Sequence, residues 1–539
     1  MSRPFLLGRV LAGAGLVLAL AACGGTQAPG TGSGDQVLRL QLDAEPPSLD
    51  PALATDTVSF NLDGALFEGL VALGPKLEPT PALAERWDVS KDGLDFTFHL
   101  RSTGRWTDGT PVTARDFEYA WKRALAPETA SDYAYQLYGI AGAADYNACD
   151  PAKTDCRALR GKVAVRALDE RTLEVRLTSS QPWFLGQLAQ TVFFPVPRQA
   201  VERFGESWTE PGHIVTDGPF RLTAWEHEDS LTLERWRGWR GAGRVRLSRI
   251  EAHVIPDAQT SLAAFEAGEI DACLGPCFPV SETGRLKGTP DYVSAPALGV
   301  SALGLNVKKI DPNLRRALAL AIDRRRLVEK VAGAGEPATS FTPRGVPGFD
   351  TIRQRFLTER SDLERAKAYL AKSKSRRHRI QLFYDATPGV KELAVTVQGD
   401  WHELGIDADV KGMEWGRFLQ FLGPPPNPKV DAYRLGWTGD YVDAMSFLDM
   451  WTCDSGTNFA RFCDPAYDRL AAEARRTRDD TQRFEIYRKL EAMLTGPQGE
   501  LPVIPLYWLS YQSLRKPNVQ GWRPDPLARY DFTRVALAA

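Results

Sequence analysis

Residues 84–125, AERWDVSKDGLDFTFHLRSTGRWTDGTPVTARDFEYAWKRAL, contain the pattern that decides the fold class. Two short runs, Ala84–Val89 and Leu94–Leu100, flank Lys91-Asp92-Gly93, and Asp-Gly between alternating runs is typical of a β-hairpin. A helical pattern follows from Ala114 to Leu125. Strands followed directly by a helix indicate sheets that are covered by helices.

The same two patterns recur along the rest of the chain. Alternating residues predict strands at Gln36–Leu42, Thr172–Leu177, Leu231–Arg235 and Ile380–Tyr384. Helical periodicity predicts helices at Thr57–Leu70, Pro312–Ile322, Asp362–Ala371, Val390–Leu404 and Pro465–Leu494. We therefore expect an α/β or α+β architecture built from mixed sheets and helices.

The N-terminal residues predict export. Arg3 and Arg9 precede an apolar stretch, Val10–Ala22, that ends in small residues, as in a signal peptide. As a helix this stretch rises only about 20 Å, which is too short to span a hydrocarbon core of roughly 30 Å. We expect residues 1–22 to be removed and the mature protein to be extracytoplasmic.

The residues around the cleavage site indicate a lipid anchor. Leu20-Ala21-Ala22-Cys23-Gly24 resembles the bacterial lipobox, whose cysteine receives a diacylglycerol, and this implies that Cys23 is lipidated and holds the protein at the envelope membrane. A cleaved soluble signal peptide is the alternative. Residues 23–35 contain no large apolar side chain after Cys23 and are expected to form a flexible tether, so the folded part begins near Asp35.

Composition limits the possible partners. The chain has 539 residues, enough for several domains, with 66 Lys and Arg against 68 Asp and Glu. This balance gives no basic field of the kind that binds nucleic acid. No nucleic-acid partner and no cofactor are expected.

The cysteines predict disulfides. Apart from Cys23, six cysteines form three local couples: Cys149 with Cys156, Cys273 with Cys277, and Cys453 with Cys463. An even number in an exported chain favours disulfides. Zinc is the alternative, but the chain has no Cys-x-x-Cys and no histidine near these couples, so no metal site is predicted.

An ordered set of segments resembles a known family along essentially the whole mature chain. The segments are Ser48–Pro51, Leu66–Leu70, Pro81–Trp87, Phe96–Arg101, Trp106–Phe117 and Asp217–Phe220. Together they are similar to the peptide and nickel class of solute-binding proteins of ABC importers. Within that class, residues 119–125 and 129–138 look most like the oligopeptide binders.

The resemblance implies a periplasmic-binding-protein-like fold with two lobes, a hinge and an inserted domain. Lobe I would comprise residues 36–66, 190–299 and 510–539. The inserted domain II would comprise residues 67–189, and lobe III residues 300–509. The implied partners are short peptides and the permease subunits of an importer, and we expect the binding protein itself to be monomeric.

A peptide enclosed between lobes needs a partner for its α-ammonium group, and a carboxylate provides one. Arg434–Tyr441 resembles the Trp-x-x-Asp-Tyr motif of the oligopeptide binders, which implies that Asp440 pairs with the ammonium group and Trp437 borders a side-chain pocket. The further ligand-binding residues that we predict are Arg434, Tyr441, Trp415 and Tyr507.

Two other functions stay open at this point. The chain lacks Gly-x-Ser-x-Gly, His-Glu-x-x-His and a phosphate loop, but a histidine-dependent hydrolase site can also assemble from distant residues. A protein of the same fold can instead bind nickel complexes or oligosaccharides, and neither ligand needs a carboxylate that pairs with an amine.

Overall fold

Strands and helices alternate along the part of the chain that the computed structural model describes, which is residues 36–538 without 76, 276, 376–378, 387–389 and 424–425. The strands are β1 Val37–Leu42, β2 Val71–Leu73, β3 Pro79–Pro81, β4 Ala84–Val89, β5 Asp95–Leu100, β6 Val165–Ala167, β7 Thr172–Arg176, β8 Phe220–Glu226, β9 Ser230–Arg235, β10 Arg249–Val254, β11 Ala272–Cys273, β12 Tyr292–Leu305, β13 Glu336–Pro337, β14 Arg379–Asp385, β15 Asp407–Met413, β16 Ala432–Thr438, β17 Val503–Leu514, β18 Val519–Gln520 and β19 Ala536–Leu537. The α-helices are α1 Thr57–Leu66, α2 Ala114–Ala124, α3 Ala143–Asn147, α4 Cys156–Lys162, α5 Phe184–Gln187, α6 Arg198–Phe204, α7 Ala258–Ala267, α8 Thr283–Leu286, α9 Pro312–Ala321, α10 Arg324–Leu327, α11 Phe349–Ile352, α12 Leu363–Lys372, α13 Val390–Glu403, α14 Trp415–Leu422, α15 Met445–Leu448, α16 Pro465–Arg476 and α17 Asp480–Thr495. The predicted mixed α/β class is confirmed.

In the described residues the strands form two large sheets, one four-stranded sheet and two small two-stranded sheets, β2-β3 and β18-β19. The first has the order β11-β1-β10-β9-β8, with β1 parallel to both of its neighbours. The second has the order β13-β17-β12-β16-β14-β15 and is antiparallel except at β14. The third, β4-β5-β7-β6, is antiparallel and contains the predicted hairpin.

A ribbon of two long strands, β12 and β17, connects the two large sheets. Tyr292–Pro296 pairs with residues 510–514, and Val300–Gly304 pairs with residues 503–508. The register shifts between Pro296 and Val300. Arg515, the residue after β17, forms an isolated antiparallel bridge with Ala272 of β11 in the first sheet. The ribbon therefore contacts both large sheets, and its interruption lies between them.

The buried side chains form separate cores on either side of this interruption, and they divide the molecule into two bodies. The first body contains the five-stranded and four-stranded sheets, and the second contains the six-stranded sheet. One core cluster includes residues of both the five-stranded and the four-stranded sheet, such as Leu38 and Phe98. Two other clusters pack on the six-stranded sheet. Trp183 is an exception, because it lies in the segment between β7 and α5 but packs into a cluster of the six-stranded sheet. The division into lobes I, II and III stays a prediction.

Helix α1 ends at Leu66, four residues before the predicted end. The Leu66 carbonyl oxygen accepts a hydrogen bond from the Gly218 N–H at 2.8 Å. A Cβ atom at residue 218 would lie 2.5 Å from the Leu66 carbonyl carbon, so glycine permits this approach. The helix stops because a tertiary hydrogen bond uses its last carbonyl, which the local sequence pattern does not reveal.

The prediction of one helix over Pro465–Leu494 is wrong, because α16 and α17 are separate. Thr477 is extended, and the Asp479 carboxylate accepts a hydrogen bond from the Gln482 N–H at 2.8 Å. This contact caps the N-terminus of α17 and supplies a partner for one of its free N–H groups.

Disulfides join Cys149 to Cys156, Cys273 to Cys277 and Cys453 to Cys463, which are the three predicted pairs. The predicted signal peptide, the tether and Cys23 lie outside the described residues. Within the described residues, no helix is both long and apolar enough to cross a bilayer, and no group of three or more His, Cys, Asp or Glu side chains is placed to bind a metal ion.

Candidate functional site

Asp440 lies two residues after the end of β16 and is held by three hydrogen bonds. Its N–H donates to Ser446 Oγ at 2.8 Å, and its carbonyl oxygen accepts from Gln190 Nε2 at 2.9 Å. Its carboxylate oxygen Oδ1 accepts from the Tyr135 hydroxyl at 3.0 Å. Tyr135 and Gln190 belong to the body that contains the five-stranded and four-stranded sheets, so the carboxylate lies where that body meets the six-stranded sheet.

The Asp440 carboxylate has no cationic partner. In the described part of the chain, no Lys, Arg or His nitrogen forms an ion pair with it. Burial raises the pKa of Asp440, whereas the hydrogen bond from Tyr135 lowers it. Burial, and then the charge of Asp440, raise the pKa values of Tyr133 and Tyr135. A partly buried carboxylate without a cation is a suitable position for a positively charged ligand group.

A row of aromatic rings leads to this carboxylate. The ring centroids of Phe60 and Tyr133 lie 5.5 Å apart, and those of Tyr133 and Tyr135 lie 5.7 Å apart. Tyr135 is 44% exposed, so its ring remains open to a ligand. The row provides apolar surface and phenol groups beside Asp440.

Trp437 and Tyr441, which precede and follow Asp440 in the sequence, are each held by a contact of their side chain. The Trp437 indole Nε1 donates to the Ser446 carbonyl oxygen at 2.6 Å. The Tyr441 ring stacks on Trp183 with centroids 5.5 Å apart and an angle of 10° between the planes. Ser446 therefore positions both Trp437 and Asp440, while Trp183 supports Tyr441 from the opposite body.

Three predicted residues do not share these contacts. Arg434 Nη1 lies 3.5 Å from the carboxylate of Asp385, which is buried at the end of β14, so its charge already has a partner. Trp415 begins α14 beyond edge strand β15 and is 50% exposed. Tyr507 packs on a different core cluster from Trp437. The structure thus gathers Asp440, Trp437 and Tyr441, and their roles in binding stay predictions.

Sequence reasoning missed four residues that contact this group, namely Tyr135, Gln190, Ser446 and Trp183. Tyr135 lies 305 positions before Asp440 and Gln190 lies 250 before it. The only local signal was Tyr133-Ala134-Tyr135, two tyrosines in a segment that otherwise shows no helical or strand pattern.

Two sheets joined by an interrupted ribbon, with a carboxylate that has no cation among the described residues where the two bodies meet, are the architecture of a solute-binding protein. Residues 78–459 match the family described as bacterial extracellular solute-binding proteins, family 5 Middle. The chain belongs to this family.

Individual relatives extend over nearly the whole chain. The periplasmic oligopeptide-binding protein OppA of Salmonella typhimurium is 34% identical over 537 residues, which cover 96% of each chain. Among solved structures, the unliganded open form of the murein tripeptide-binding protein MppA has a TM-score of 0.83 at 30% identity and covers 93% of this chain and 97% of its own. OppA of Haemophilus influenzae in complex with the peptide RPPGFSPFR has a TM-score of 0.70 at 26% identity and covers 94% and 99%. The arrangement of this chain is closer to that of the open form.

Proposed function

We propose that this protein captures short peptides between its two lobes outside the cytoplasm and delivers them to the permease of an ABC importer. The lobes are residues 36–66, 190–299 and 510–539 on one side and residues 300–509 on the other, with residues 67–189 as an inserted domain. The interruption of the β12–β17 ribbon would then act as the hinge.

The observation that carries the proposal is the Asp440 carboxylate, which lies where the two bodies meet and has no cationic partner within the described part of the chain. Leaving a charge partly desolvated without a partner costs free energy, and a peptide α-ammonium group would remove this cost. The Tyr135 hydroxyl donates to carboxylate oxygen Oδ1 and leaves Oδ2 for a ligand. Trp437, Tyr441, Trp415, Arg434 and Tyr507 remain proposed ligand contacts.

The relatives support peptides as the ligand class. The Salmonella protein is an oligopeptide-binding protein, and the Haemophilus protein was solved with a bound peptide. A nickel complex or an oligosaccharide would give the Asp440 carboxylate no ammonium partner, so these ligands account less well for the site. The proposal requires binding and release but no chemical step, so it includes no enzymatic activity.

The proposal retains the predicted location and assembly state. Relatives are named as periplasmic proteins. We propose that Cys23 carries a lipid that keeps this protein at the outer side of the envelope membrane, and that the protein acts as a monomer that meets the permease subunits.

A thermal-shift screen tests the ligand class. Purified protein would be heated with tri- and tetrapeptides, with oligosaccharides and with nickel chelates at equal concentrations. A ligand present at 100 times its Kd stabilises the folded state by about 2.7 kcal/mol, which is easily measured. We expect a rise in Tm with peptides only. A rise with sugars or nickel chelates and none with peptides would overturn the proposal.

A further inference from the structure

A recess rich in arginine lies at the far end of the aromatic row, where Phe60 is one of its lining residues, and Asp440 does not line it. It has a volume of about 1140 Å³ and is lined by residues from both bodies, including Pro296 of β12 next to the interruption of the ribbon. None of the proposed peptide contacts lines it. Counted over the described residues, seven arginines and three carboxylates line this recess, which we call the arginine cavity.

Four of these arginines are already neutralised by carboxylates. The pairs are Arg240 with Glu68, Arg529 with Asp525, Arg534 with Asp531, and Arg344 with Glu336. All three carboxylates that line the cavity are used in these pairs. The remaining arginines therefore leave the cavity with excess positive charge.

The remaining arginines are Arg101, Arg244 and Arg523. Arg101 Nε donates to the Ala82 carbonyl oxygen at 2.8 Å, and this is the hydrogen bond of its guanidinium group among the described residues. The Arg244 and Arg523 guanidinium groups form no hydrogen bond or ion pair in the described chain, and both side chains are exposed. Three guanidinium groups thus have donors available for an anion.

Part of the cavity wall is rigid before any ligand binds. Trp239 Nε1 donates to Glu68 at 3.1 Å, and the guanidinium carbons of Arg240 and Arg244 each lie 5.7 Å from the centre of a Trp239 ring. A cation held over an aromatic face keeps its orientation at little cost in side-chain entropy. Arg244 is consequently held in place while its N–H donors remain free.

We propose that the arginine cavity binds a small organic phosphate. A planar guanidinium group can donate two parallel hydrogen bonds to a pair of phosphate oxygens. Three guanidinium groups without a carboxylate partner suit a ligand with more than one negative charge. The cavity, at about 1140 Å³, is slightly larger than the roughly 300–1,000 Å³ typical of small-molecule sites and far exceeds a single phosphate ion. Apolar lining residues such as Val346 and Leu77 would contact the organic part.

Calorimetric titration of the purified full chain tests this proposal with three probes. Adenosine diphosphate and pyrophosphate represent free phosphates, and glycerophosphoglycerol represents the head group of an anionic phospholipid. We expect saturable binding of adenosine diphosphate or glycerophosphoglycerol with a stoichiometry of one and a Kd below about 1 mM at ordinary salt, whereas binding of pyrophosphate alone would contradict an organic ligand. Tighter binding of glycerophosphoglycerol than of adenosine diphosphate would identify a lipid head group as the source of the phosphate.

The variant Arg244→Gln with Arg523→Gln should weaken binding of the best probe by at least about tenfold, because two charge-assisted contacts are lost. Arg115→Gln with Arg166→Gln is the matched control, since both arginines are exposed, form no ion pair and lie outside the cavity. The control should bind as the wild type does. Absence of saturable binding for all three probes, or an equal loss in both double variants, would overturn the proposal.

Discussion

At the scale of single residues, the candidate site depends on which hydrogen-bond donors and cations contact the Asp440 carboxylate. In the described chain it accepts one hydrogen bond from Tyr135 and has no cation. A neutral donor compensates a desolvated carboxylate only partly, so the same carboxylate gains more from an ammonium group. This supports the proposal that the side chain pairs with a charged ligand group rather than with a structural cation.

Asp440→Asn should weaken peptide binding strongly. The substitution keeps size and shape but removes the charge that faces the ligand ammonium group, at a cost of about 2–5 kcal/mol, or roughly 30-fold to several thousand-fold in affinity. Isothermal titration calorimetry with a free tripeptide measures the change.

An N-acetylated form of the same tripeptide is the control. It lacks the ammonium group, so it should bind wild type poorly and respond little to the substitution, which makes the two changes non-additive. Acetylated and free peptides of equal affinity for the wild type would show that Asp440 does not recognise the ammonium group.

Peptide affinity should fall as the pH is lowered. Burial raises the pKa of Asp440 in the free protein, and an ammonium partner would lower it in the complex, so binding is strongest above the free-protein pKa and is lost as pH falls through it. Affinities measured by calorimetry from neutral to acid pH should decline by up to about tenfold per pH unit.

The variant Tyr135→Phe tests whether Asp440 is the group that titrates in the pH experiment. It removes the hydrogen bond that lowers the pKa of Asp440, so the decline should begin at a higher pH than in wild type. In Asp440→Asn the acid decline should largely disappear. A decline of the same size and position in all three proteins would mean that another group is titrating.

Single residues also show which parts of the candidate site can be predicted from sequence. The motif at residues 437–441 was sufficient to select Asp440 and Trp437. Tyr135 and Gln190 could not be selected, because their hydrogen bonds to Asp440 join segments more than two hundred residues apart. The partner of Arg434, Asp385, was not foreseen either, because it lies on a different strand and the two side chains meet only once β14 and β16 pair.

At the scale of elements, periodicity located most strands and helices, and tertiary contacts set their ends. The Thr57–Leu70 prediction extended too far because Gly218 takes the last carbonyl of α1. The Pro465–Leu494 prediction merged two helices because both have the same apolar period. In the second case the break was readable, since Asp479 precedes α17 in the manner of an N-cap residue.

Asp479→Ala should destabilise the protein by about 1 kcal/mol through loss of this cap. Asp479 is exposed, so the effect should come from the N-terminus of α17 rather than from packing. Urea denaturation measures the loss, and faster hydrogen exchange of the Gln482 amide localises it. Asp479→Ser, which retains a capping oxygen, should stay close to wild type; an equal loss in both variants would contradict the capping role.

At the scale of the whole molecule, ligand binding should close the two bodies about the β12–β17 ribbon. The chain is closer in arrangement to an unliganded open structure, with a TM-score of 0.83, than to a peptide complex, with 0.70. A ligand shifts this equilibrium only if it binds the closed arrangement more tightly.

Small-angle scattering should therefore show a smaller radius of gyration with saturating tripeptide. Asp440→Asn at the same peptide concentration is the control and should remain open, because it binds too weakly to be occupied. An unchanged radius in wild type at confirmed saturation would argue against a hinge at the ribbon.

The ribbon also determines how the molecule would respond to proteolysis. The chain passes between the five-stranded and six-stranded sheets twice, once in β12 and once in β17, and the two passages are hydrogen-bonded to each other. A protease that cut one peptide bond at residues 297–299 would leave the sheets connected through β17. The two fragments would separate only under denaturing conditions, and the nicked protein would migrate as a single species in a native gel.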